Sequence, residues 1–445
     1  MNTPIADFAA QYAASGAVRL HMPGHKGAPM LGCEPYDLTE IAGADELYAP
    51  EGIIAESEAN AAALFGCRTL YSTEGSSLCI RAMLYLAMLH AAEQGRRPVI
   101  AAARNAHKTF LTAAALLDFS VRWLPQQAGE GYLSGSVTPQ TLACLADDPP
   151  AALYLTSPDY LGNLCDIREA ARFCHAHGIL LLVDNAHGAY LRFLPESLHP
   201  CDLGADLCCD SAHKTLPVLT GGAYLHISDY APELCRQRAR SALALFGSTS
   251  PSYLILESLD RCNQYLSSGA AVRLRAFLHD ADRLRGQLTA HGWVLCGDEP
   301  MKLTLSPKPF GYTGTELAEI LQKERIYCEF ADPDYLVLMP SPENTPEDLT
   351  HTGQVLCSIP QRSALTERPP RLPVPEQVMT PREAVFAPSE TLPVTECAGR
   401  ICADFAVSCP PAVPVVMCGE RITAQAVRCM QYYGTETCTV VLETG

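Results

Sequence analysis

Lys214 stands in a stretch whose residue types could do chemistry. Residues 210–226 read DSAHKTLPVLTGGAYLH, so Ser211 and His213 precede the lysine, and Thr215 and a Gly-Gly pair follow it. These neighbours are unusual for a lysine that only carries surface charge. Three roles are open at this point: a covalent carrier of a carbonyl cofactor, a clamp for phosphate, or a solvated lysine in a loop. A lysine that is screened from bulk water can have its pKa lowered enough to attack an aldehyde.

A carboxylate and a histidine precede this stretch in the chain. Asp184 ends the apolar run ILLLVD, and His187 follows it in DNAHG. A carboxylate at the end of a strand could bind a metal or pair with a protonated ring nitrogen, or it could only cap a local turn. A lone histidine near a sheet edge is more often structural than catalytic. Taken singly, neither residue identifies a function.

The third feature is the start of a long apolar helix in YSTEGSSLCIRAMLYLAMLH. A helix N-terminus with small hydroxyl residues, here Gly75, Ser76 and Ser77, binds phosphate, although Ser-Ser after Gly can also be a plain helix cap. A phosphate cup, a strand-end carboxylate and a lysine are together the three anchors that pyridoxal phosphate (PLP) needs. Asp184 would hold the ring nitrogen protonated, and Lys214 would bind the aldehyde.

His107 completes this constellation, because it follows the apolar run PVIAAA at a point where an aromatic side chain could stack on a cofactor ring. Two other lysines compete with Lys214 for the covalent role. Lys26 lies in a loop-like segment and Lys108 opens a helix after His107. Neither follows a strand-end aspartate at the spacing that separates Lys214 from Asp184, so Lys214 fits the role best.

These residues need a scaffold that brings strand ends together. Five short apolar runs predict buried strands: RRPVIAAA, AALYLTSP, ILLLVDNAH, ADLCCDSAHK and GGAYLHIS. Amphipathic stretches such as REAARFCHAH predict helices between some of them. Strands that alternate with helices indicate an α/β fold with a mostly parallel sheet flanked by helices. In such sheets ligands bind outside the carboxyl ends of the strands.

The chain divides into five predicted segments. Residues 1–50 are rich in Gly and Pro and predict an extended arm, and residues 51–262 predict a large PLP-binding domain. Residues 263–360 predict a small α+β domain. Residues 361–379 are Pro-rich and polar, as in a linker, and residues 380–445 predict a further α+β subdomain.

Composition excludes several classes of protein. The 49 acidic residues outnumber the 32 basic ones and give a formal charge of -17, which argues against nucleic acid or an anionic membrane as partner and mildly for a cationic substrate. The 20 cysteines are scattered without a C-x-x-C pair, so we expect reduced thiols, no disulfide framework and no bound metal. The N-terminus has no signal-peptide pattern, and no run of apolar residues reaches the length of a membrane helix. We therefore expect a cytoplasmic protein.

Several ordered motifs carry a resemblance to a known family. The matching stretches are HMPGHKG at 21–27, APEGIIAESE at 49–58, RNAHK at 104–108, DNAHGAY at 184–190, SAHKTLPVLTGGAYLH at 211–226, STSPSYLILESLD at 248–260 and ECAGRICADFAVSCPPAVPVVMCGERI at 396–422. Together they span almost the whole chain, and the chain resembles the Orn/Lys/Arg decarboxylase family. The resemblance implies PLP fold type I, the fold of aspartate aminotransferase, and decarboxylation of a basic amino acid in polyamine biosynthesis. Because the arm begins near residue 1, the chain resembles the short form of the family.

The resemblance also implies roles for individual residues. Lys214 would be the Schiff-base lysine, Asp184 the partner of the pyridinium nitrogen and His107 the stacking residue, while His187 would support the ring or the departing carboxylate. The residues implied near the cofactor phosphate are Gly75, Ser76, Ser77, Ser211 and His213. Thr249 would reach the phosphate from a neighbouring chain, so a homodimer with shared active sites is implied.

The chain departs from the family pattern at Asn185, Asp159, Tyr48 and Cys418, where Glu, Thr, His and Pro are commoner. None of the four departures removes a cofactor anchor. Glu396 is the carboxylate most expected to recognise a cationic side chain.

Glu390 is a weaker candidate for that substrate contact. Another PLP enzyme, such as an aminotransferase or a lyase, and a catalytically silent scaffold remain alternatives. An aminotransferase would need an arginine for a second carboxylate, and a silent scaffold would be free to lose Asp184 or Lys214.

Overall fold

The computed structural model describes residues 1–126, 131–135, 137–371, 374–405 and 411–443. In chain order the helices are α1 (Pro4–Ala14), α2 (Ile53–Phe65), α3 (Gly75–Glu93), α4 (Lys108–Leu117), α5 (Pro139–Ala143), α6 (Ile167–Ala176), α7 (Pro200–Leu203), α8 (Ala212–Thr215), α9 (Glu233–Phe246), α10 (Tyr253–Ser267), α11 (Ala270–His291), α12 (Gly314–Lys323), α13 (Pro346–Ser358), α14 (Pro381–Phe386) and α15 (Ala424–Tyr432). The strands are β1 (Arg68–Ser72), β2 (Val99–Ala102), β3 (Ser120–Trp123), β4 (Ala152–Thr156), β5 (Leu180–Asp184), β6 (Leu207–Asp210), β7 (Ala223–Ile227), β8 (Val294–Cys296), β9 (Leu303–Ser306), β10 (Phe330–Ala331), β11 (Leu336–Leu338), β12 (Ser389–Pro393) and β13 (Thr437–Val441).

The chain forms two compact units. The first unit contains Met1–Pro98, Leu145–Leu155 and Ile167–Arg275. The second contains Val99–Cys144, Thr156–Asp166 and Ala276–Gly445. The five segments predicted from the sequence follow a different division, and their boundaries stay a prediction.

The first unit is built around strands in the order β1-β7-β6-β5-β4. β5 and β6 are parallel, and β7 runs antiparallel to both β6 and β1. All five residues of β5 and of β7 are buried, as expected for strands that are covered on both faces. Helix α3 packs on β5, β6 and β7 and against α9. The carboxyl ends of β5 and β6 lie side by side, because Asp184 pairs with Cys209 in their register.

The segment predicted as an extended arm begins with a helix, so that prediction is wrong for α1. The Asp260 carboxylate accepts hydrogen bonds from the backbone N–H groups of Ile5 and Ala6 at 2.9 and 3.0 Å. It therefore satisfies two donors that the first turn of a helix leaves without partners. Ile5, Ala6 and Ala9 are buried, and the helix packs on α2 and α10. This buried apolar face stabilises a helix that could not be predicted from the Gly and Pro content of the segment as a whole.

The second unit contains three separate strand groups. β2 and β3 pair in parallel. β8 to β11 form an antiparallel sheet in the order β10-β11-β9-β8. β12 and β13 pair antiparallel near the end of the chain, beside an apolar cluster that includes Val394, Ile422 and Val440.

Helix α3 is long and apolar enough to cross a membrane, and it is the single such helix among the residues that the structure describes. Half of its most apolar window is buried inside the fold, and core helices pass the same test of length and composition. All cysteines within the described ranges are free.

Candidate active site

Asp184 lies at the carboxyl end of β5 and is almost completely buried. Tyr154 of the neighbouring strand β4 donates a hydrogen bond from its hydroxyl to Oδ2 at 2.9 Å, and the backbone N–H of Ala186 donates to Oδ1 at 3.1 Å. Burial raises the pKa of the Asp184 carboxyl, while the Tyr154 hydrogen bond and the charge of Lys214 oppose that rise. A carboxylate held in this way gains stability from a positive partner in the same low-dielectric surroundings.

Lys214 lies in the single turn of α8, directly after β6, and is half-buried. Its Nζ donates a hydrogen bond to Nε2 of His187 at 2.9 Å, since an ammonium group has no acceptor. His187 is buried. The structure thus brings together three residues that the sequence analysis singled out, and Lys214 is not a freely solvated side chain.

The residues expected to bind phosphate gather at the start of α3. Glu74 at the N-cap position makes no side-chain hydrogen bond to the helix. Ser211 donates a hydrogen bond from its hydroxyl to Ser76 at 2.8 Å. His213 contacts the neighbouring glycine loop through a hydrogen bond between its Nδ1 and the carbonyl oxygen of Gly222 at 3.0 Å. Ser77 follows Ser76 in the first turn of the helix, where backbone N–H groups and the helix dipole favour an anion.

Two glycines shape this helix start. Gly75 has φ +69°, and a Cβ at this position would meet nothing within 4 Å, so the space in front of the helix is open. Gly221 has φ +101°, and a Cβ there would lie 2.9 Å from the carbonyl oxygen of Thr73. The N–H of Gly75 donates to the carbonyl oxygen of Gly221 at 2.7 Å. The Gly-Gly pair noted in the sequence therefore lets the loop after α8 approach the start of α3.

Thr249 lies in the exposed loop between α9 and α10. The N–H of Ser248 donates to Oε1 of Glu74 at 2.6 Å, which places this loop beside the start of α3 in the same chain. Tyr48 lies nearby: a Cβ on Gly247 would stand 1.8 Å from its hydroxyl oxygen. Burial and the charge of Glu74 raise the pKa of Tyr48 to about 12.

The remaining predicted site residues belong to the second unit. His107 is the N-cap residue of α4, and its Nδ1 accepts a hydrogen bond from the N–H of Thr109 at 3.2 Å. Glu396 ends a short 3-10 turn and is exposed. Glu390 accepts a hydrogen bond from the Arg400 guanidinium at 2.7 Å. That ion pair occupies Glu390 and weakens it as a substrate contact, whereas the roles of His107 and Glu396 stay predictions.

Two of the departures from the family pattern have local roles. Oδ1 of Asp159 accepts hydrogen bonds from the backbone N–H groups of Leu161 and Asn163, both at 2.9 Å. This carboxylate therefore stabilises its own loop. Asn185 is fully buried and donates from Nδ2 to Oδ1 of Asp210 at 2.6 Å. Asp210 thus contacts the residue that follows Asp184.

Sequence reasoning missed Tyr154 and Asp210. Tyr154 sits in the otherwise apolar strand AALYLTSP, and a tyrosine hydroxyl inside a buried strand usually has a partner. That signal could have suggested a contact, although it could not have identified Asp184 as the acceptor. Asp210 ends its strand as Asp184 does, so the same strand-end argument applied to both.

The residues of the first unit fit PLP. An open, glycine-lined helix start suits a phosphate. A buried carboxyl that Tyr154 and the charge of Lys214 help to keep ionised suits a protonated ring nitrogen. The aldehyde of PLP bonds to a neutral lysine amine, and the buried imidazole of His187 lies within hydrogen-bond distance of the Lys214 amine, where it can take up a proton. The three anchors expected from the sequence therefore lie in one unit of the fold.

The chain is similar to known proteins in sequence and in fold. The family model described as Orn/Lys/Arg decarboxylase, major domain, matches residues 3–296, and the model of the C-terminal domain of that family matches residues 364–437. Arginine decarboxylase of Bacillus subtilis is 29% identical over 459 residues, which cover 95% of this chain and 92% of the relative. Constitutive lysine decarboxylase of E. coli has a TM-score of 0.77 at 16% identity and covers 99% of this chain and 82% of its own. Lysine decarboxylase of Francisella novicida has a TM-score of 0.78 at 17% identity, with coverage of 99% and 81%. At these identities the structural likeness shows the fold alone.

Proposed function

Because the chain belongs to the Orn/Lys/Arg decarboxylase family and is therefore a PLP-dependent amino-acid decarboxylase of fold type I, we propose that it acts on arginine, lysine or ornithine. The product would be the corresponding amine, a precursor of polyamines in the cytoplasm. The observation that carries the proposal is the contact of Lys214 with His187 in the same unit as the buried carboxylate of Asp184. The arginine decarboxylase of Bacillus subtilis matches this chain along nearly its whole length, which supports the choice of a basic substrate.

PLP, when bound, supplies an electron sink for the electron pair that remains when the bond to the departing carboxylate breaks. The protein residues make that sink effective. Asp184 would hold a positive charge at the ring nitrogen, and Tyr154 fixes the orientation of the carboxylate through its 2.9 Å hydrogen bond. The buried position of Asp184 strengthens this interaction, since water does not screen it.

Lys214 and His187 handle a proton at the amine. The Lys214 amine must be neutral to bond to an aldehyde carbon, and Nε2 of His187 at 2.9 Å can hold the proton that Nζ gives up. The phosphate would be bound by Ser76, Ser77, Ser211 and His213. This binding would keep the cofactor ring from rotating. His107 would stack on the ring, and Thr249 would add a phosphate contact from a second chain in a homodimer.

The charge balance supports a cationic substrate. The chain carries a formal charge of -17, and an acidic surface attracts cationic substrates. Since Glu390 is paired with Arg400, Glu396 is the better candidate for a contact with the substrate side chain.

The test is a substrate panel with the purified protein reconstituted with PLP. Arginine, lysine and ornithine are supplied separately, and CO2 and the amine are quantified by mass spectrometry. We expect equal amounts of CO2 and one amine from one of the three substrates. A keto acid with pyridoxamine phosphate would mean an aminotransferase, and no product from any substrate would contradict the proposal.

Lys214→Ala is the matched variant. It should lose both turnover and the visible absorption band of PLP bound through an amine, while circular dichroism shows that it is folded. A folded Lys214→Ala protein that keeps the visible band would show that another amine carries the cofactor, and Lys108→Ala and Lys26→Ala then test the two competing lysines.

A further inference from the structure

Thiols and imidazoles from distant parts of the chain meet inside the first unit. His199 and Cys201 lie at the start of α7, and Cys208 lies in the middle of β6. Cys67 immediately precedes β1. His199 and Cys208 have no exposed surface, and Cys201 is nearly buried. The cluster is separate from the residues assigned above to PLP, and no part of the proposed reaction uses it.

The distances between these groups are those of metal ligands. The sulfurs of Cys201 and Cys208 are 3.4 Å apart, and Nε2 of His199 lies 4.0 Å from the Cys208 sulfur. The ligand atoms of His199, Cys201 and Cys208 all lie within 4.8 Å of one another. In a tetrahedral zinc site the separations are about 3.8 Å between two sulfurs and about 3.6 Å between sulfur and nitrogen, given Zn–S near 2.3 Å and Zn–N near 2.0 Å. The distance between the two sulfurs is close to the first of these separations.

A third sulfur stands beside this set. The hydrogen bond to the Cys201 thiol raises the pKa of Cys67, but Cys67 is not among the ligand atoms that all lie within 4.8 Å of one another. Cys67 also lies 3.7 Å from Nδ1 of His226. Thiols are weak hydrogen-bond donors and acceptors. Hydrogen bonds among three neighbouring thiols would therefore add little to the stability of the fold.

The surroundings resemble the outer layer of a metal site. Oδ2 of Asp210 accepts hydrogen bonds from Nε2 of His226 at 3.0 Å and from Nε2 of His199 at 3.2 Å. Carboxylates commonly orient metal-binding histidines by accepting from the ring nitrogen that does not bind the metal, so the nitrogen of His199 left for an ion is Nδ1. Nδ1 of His199 is buried and has no hydrogen-bond partner among the described residues.

We propose that His199, Cys201 and Cys208 bind a Zn²⁺ ion. Sulfur and imidazole ligands select zinc among the common divalent cations. The ion would connect α7 to β6, so its role is structural. This site was not expected from the sequence, because Cys201 and Cys208 are 7 residues apart.

The site also has a connection to the cofactor-binding residues. Asp210 contacts His199 through one oxygen and Asn185 through the other. Asn185 directly follows Asp184. A metal that fixes His199 would therefore also fix the strand end that carries the ring-nitrogen carboxylate.

Metal content of the purified protein tests the proposal. The chain is produced without a metal-affinity tag, dialysed and analysed by inductively coupled plasma mass spectrometry. We expect one equivalent of zinc per chain in the wild type and its loss in Cys208→Ser. Cys174→Ser is the matched control, because Cys174 is also fully buried but lies in α6 outside the cluster, and it should keep its zinc. A wild-type protein that contains no metal, or a disulfide between Cys201 and Cys208 in its place, would overturn the proposal.

A cobalt experiment does not depend on the folding of a variant. Zinc is removed from the wild-type protein with a chelator and replaced by Co²⁺, and the spectrum is recorded. Two or more thiolate ligands should give strong sulfur-to-cobalt charge transfer in the near ultraviolet and visible bands of tetrahedral cobalt. Cobalt bound without sulfur charge transfer would contradict the thiolate site and would favour His199, Asp210 and His226, which also lie within 4.8 Å of one another. The chelated protein should also unfold at a lower temperature, since a ligand of the native state stabilises it.

Discussion

The hydroxyl of Tyr154 is the main side-chain contact that orients Asp184 from a neighbouring strand. Its hydrogen bond favours the ionised carboxylate against the effect of burial. The residue carries no charge, and it lies in a predicted strand but in none of the stretches that carry the family resemblance. Its effect on the cofactor would come entirely from the carboxylate that it holds, so it is a positioning residue.

Tyr154→Phe should therefore weaken PLP binding. A hydrogen bond to a charged group contributes about 1.5–3 kcal/mol, so we expect the dissociation constant of PLP to rise about tenfold or more. Titration of the PLP-free protein with PLP, followed by visible absorbance, measures this change. Without the Tyr154 hydrogen bond the pKa of Asp184 should rise. PLP binding that needs the ionised carboxylate should therefore require a higher pH in Tyr154→Phe than in the wild type.

Tyr312→Phe is the matched control for this prediction. Tyr312 is equally buried and donates its hydroxyl to the carbonyl oxygen of Pro360 at 2.8 Å, but it lies in the second unit and outside the site. It should lower the melting temperature without changing PLP affinity. If the two variants bind PLP as tightly as the wild type, Tyr154 does not position Asp184.

At the scale of elements, helix α10 contains a carboxyl group whose titration affects folding. Burial raises the pKa of Glu257 to about 8; the charge of Arg261 opposes the rise, while Asp260 and Asp37 add to it. Below the ordinary pKa of 4.5 the group is protonated in the folded and unfolded chain alike. Between 4.5 and about 8 the unfolded chain loses the proton and the folded chain keeps it, so stability falls as the pH rises through this window.

Glu257→Gln should remove this part of the pH dependence, because the amide resembles the protonated carboxyl. We expect its melting temperature to exceed that of the wild type at pH 9 and to approach it at pH 5, measured by differential scanning calorimetry. The exposed Glu324 of the second unit offers the control, and Glu324→Gln should follow the wild-type curve. Parallel curves for Glu257→Gln and the wild type would contradict the assignment.

The elements also show what the sequence could and could not predict. Each predicted strand of the first unit is present, and the mostly parallel α/β fold is confirmed. The apolar runs were sufficient to predict these strands, because a strand that is buried on both faces reads as a nearly continuous apolar run. The antiparallel direction of β7 depends instead on pairing with β1 and β6, which no local pattern encodes. α1 was missed because Asp260, far away along the chain, satisfies its first turn.

The same limit applies to the candidate site. Lys214, His187 and Asp184 were found because each follows a strand whose carboxyl end lies at the same edge of the sheet. Tyr154 and the cluster of His199, Cys201 and Cys208 were missed because their contacts depend on how separate strands and helices pack together. Family resemblance supplied the role of Thr249 and repeated the stacking role that the position of His107 had suggested, and both stay predictions.

At the scale of the whole molecule, the open question is which chain supplies Thr249 to a given phosphate site. The family resemblance implies the neighbouring chain of a homodimer. The structure adds that the loop containing Thr249 contacts Glu74 of its own chain through Ser248. Both arrangements place the loop near the start of an α3 helix, but they differ in how two defective chains would combine.

Mixing two inactive variants separates the arrangements. Lys214→Ala lacks the amine, and Thr249→Glu places a negative charge where a phosphate should bind. If sites are shared, a mixed dimer contains one site with both native residues, so equal mixing of exchanging subunits should restore about a quarter of the wild-type sites. If Thr249 acts within its own chain, every site in the mixed dimer lacks one residue and activity stays absent. Decarboxylase activity of the mixture, compared with each variant alone and with mass photometry to confirm subunit exchange, measures the outcome. Restored activity requires Thr249 to act across the interface, because no other pairing of the two chains rebuilds an intact site.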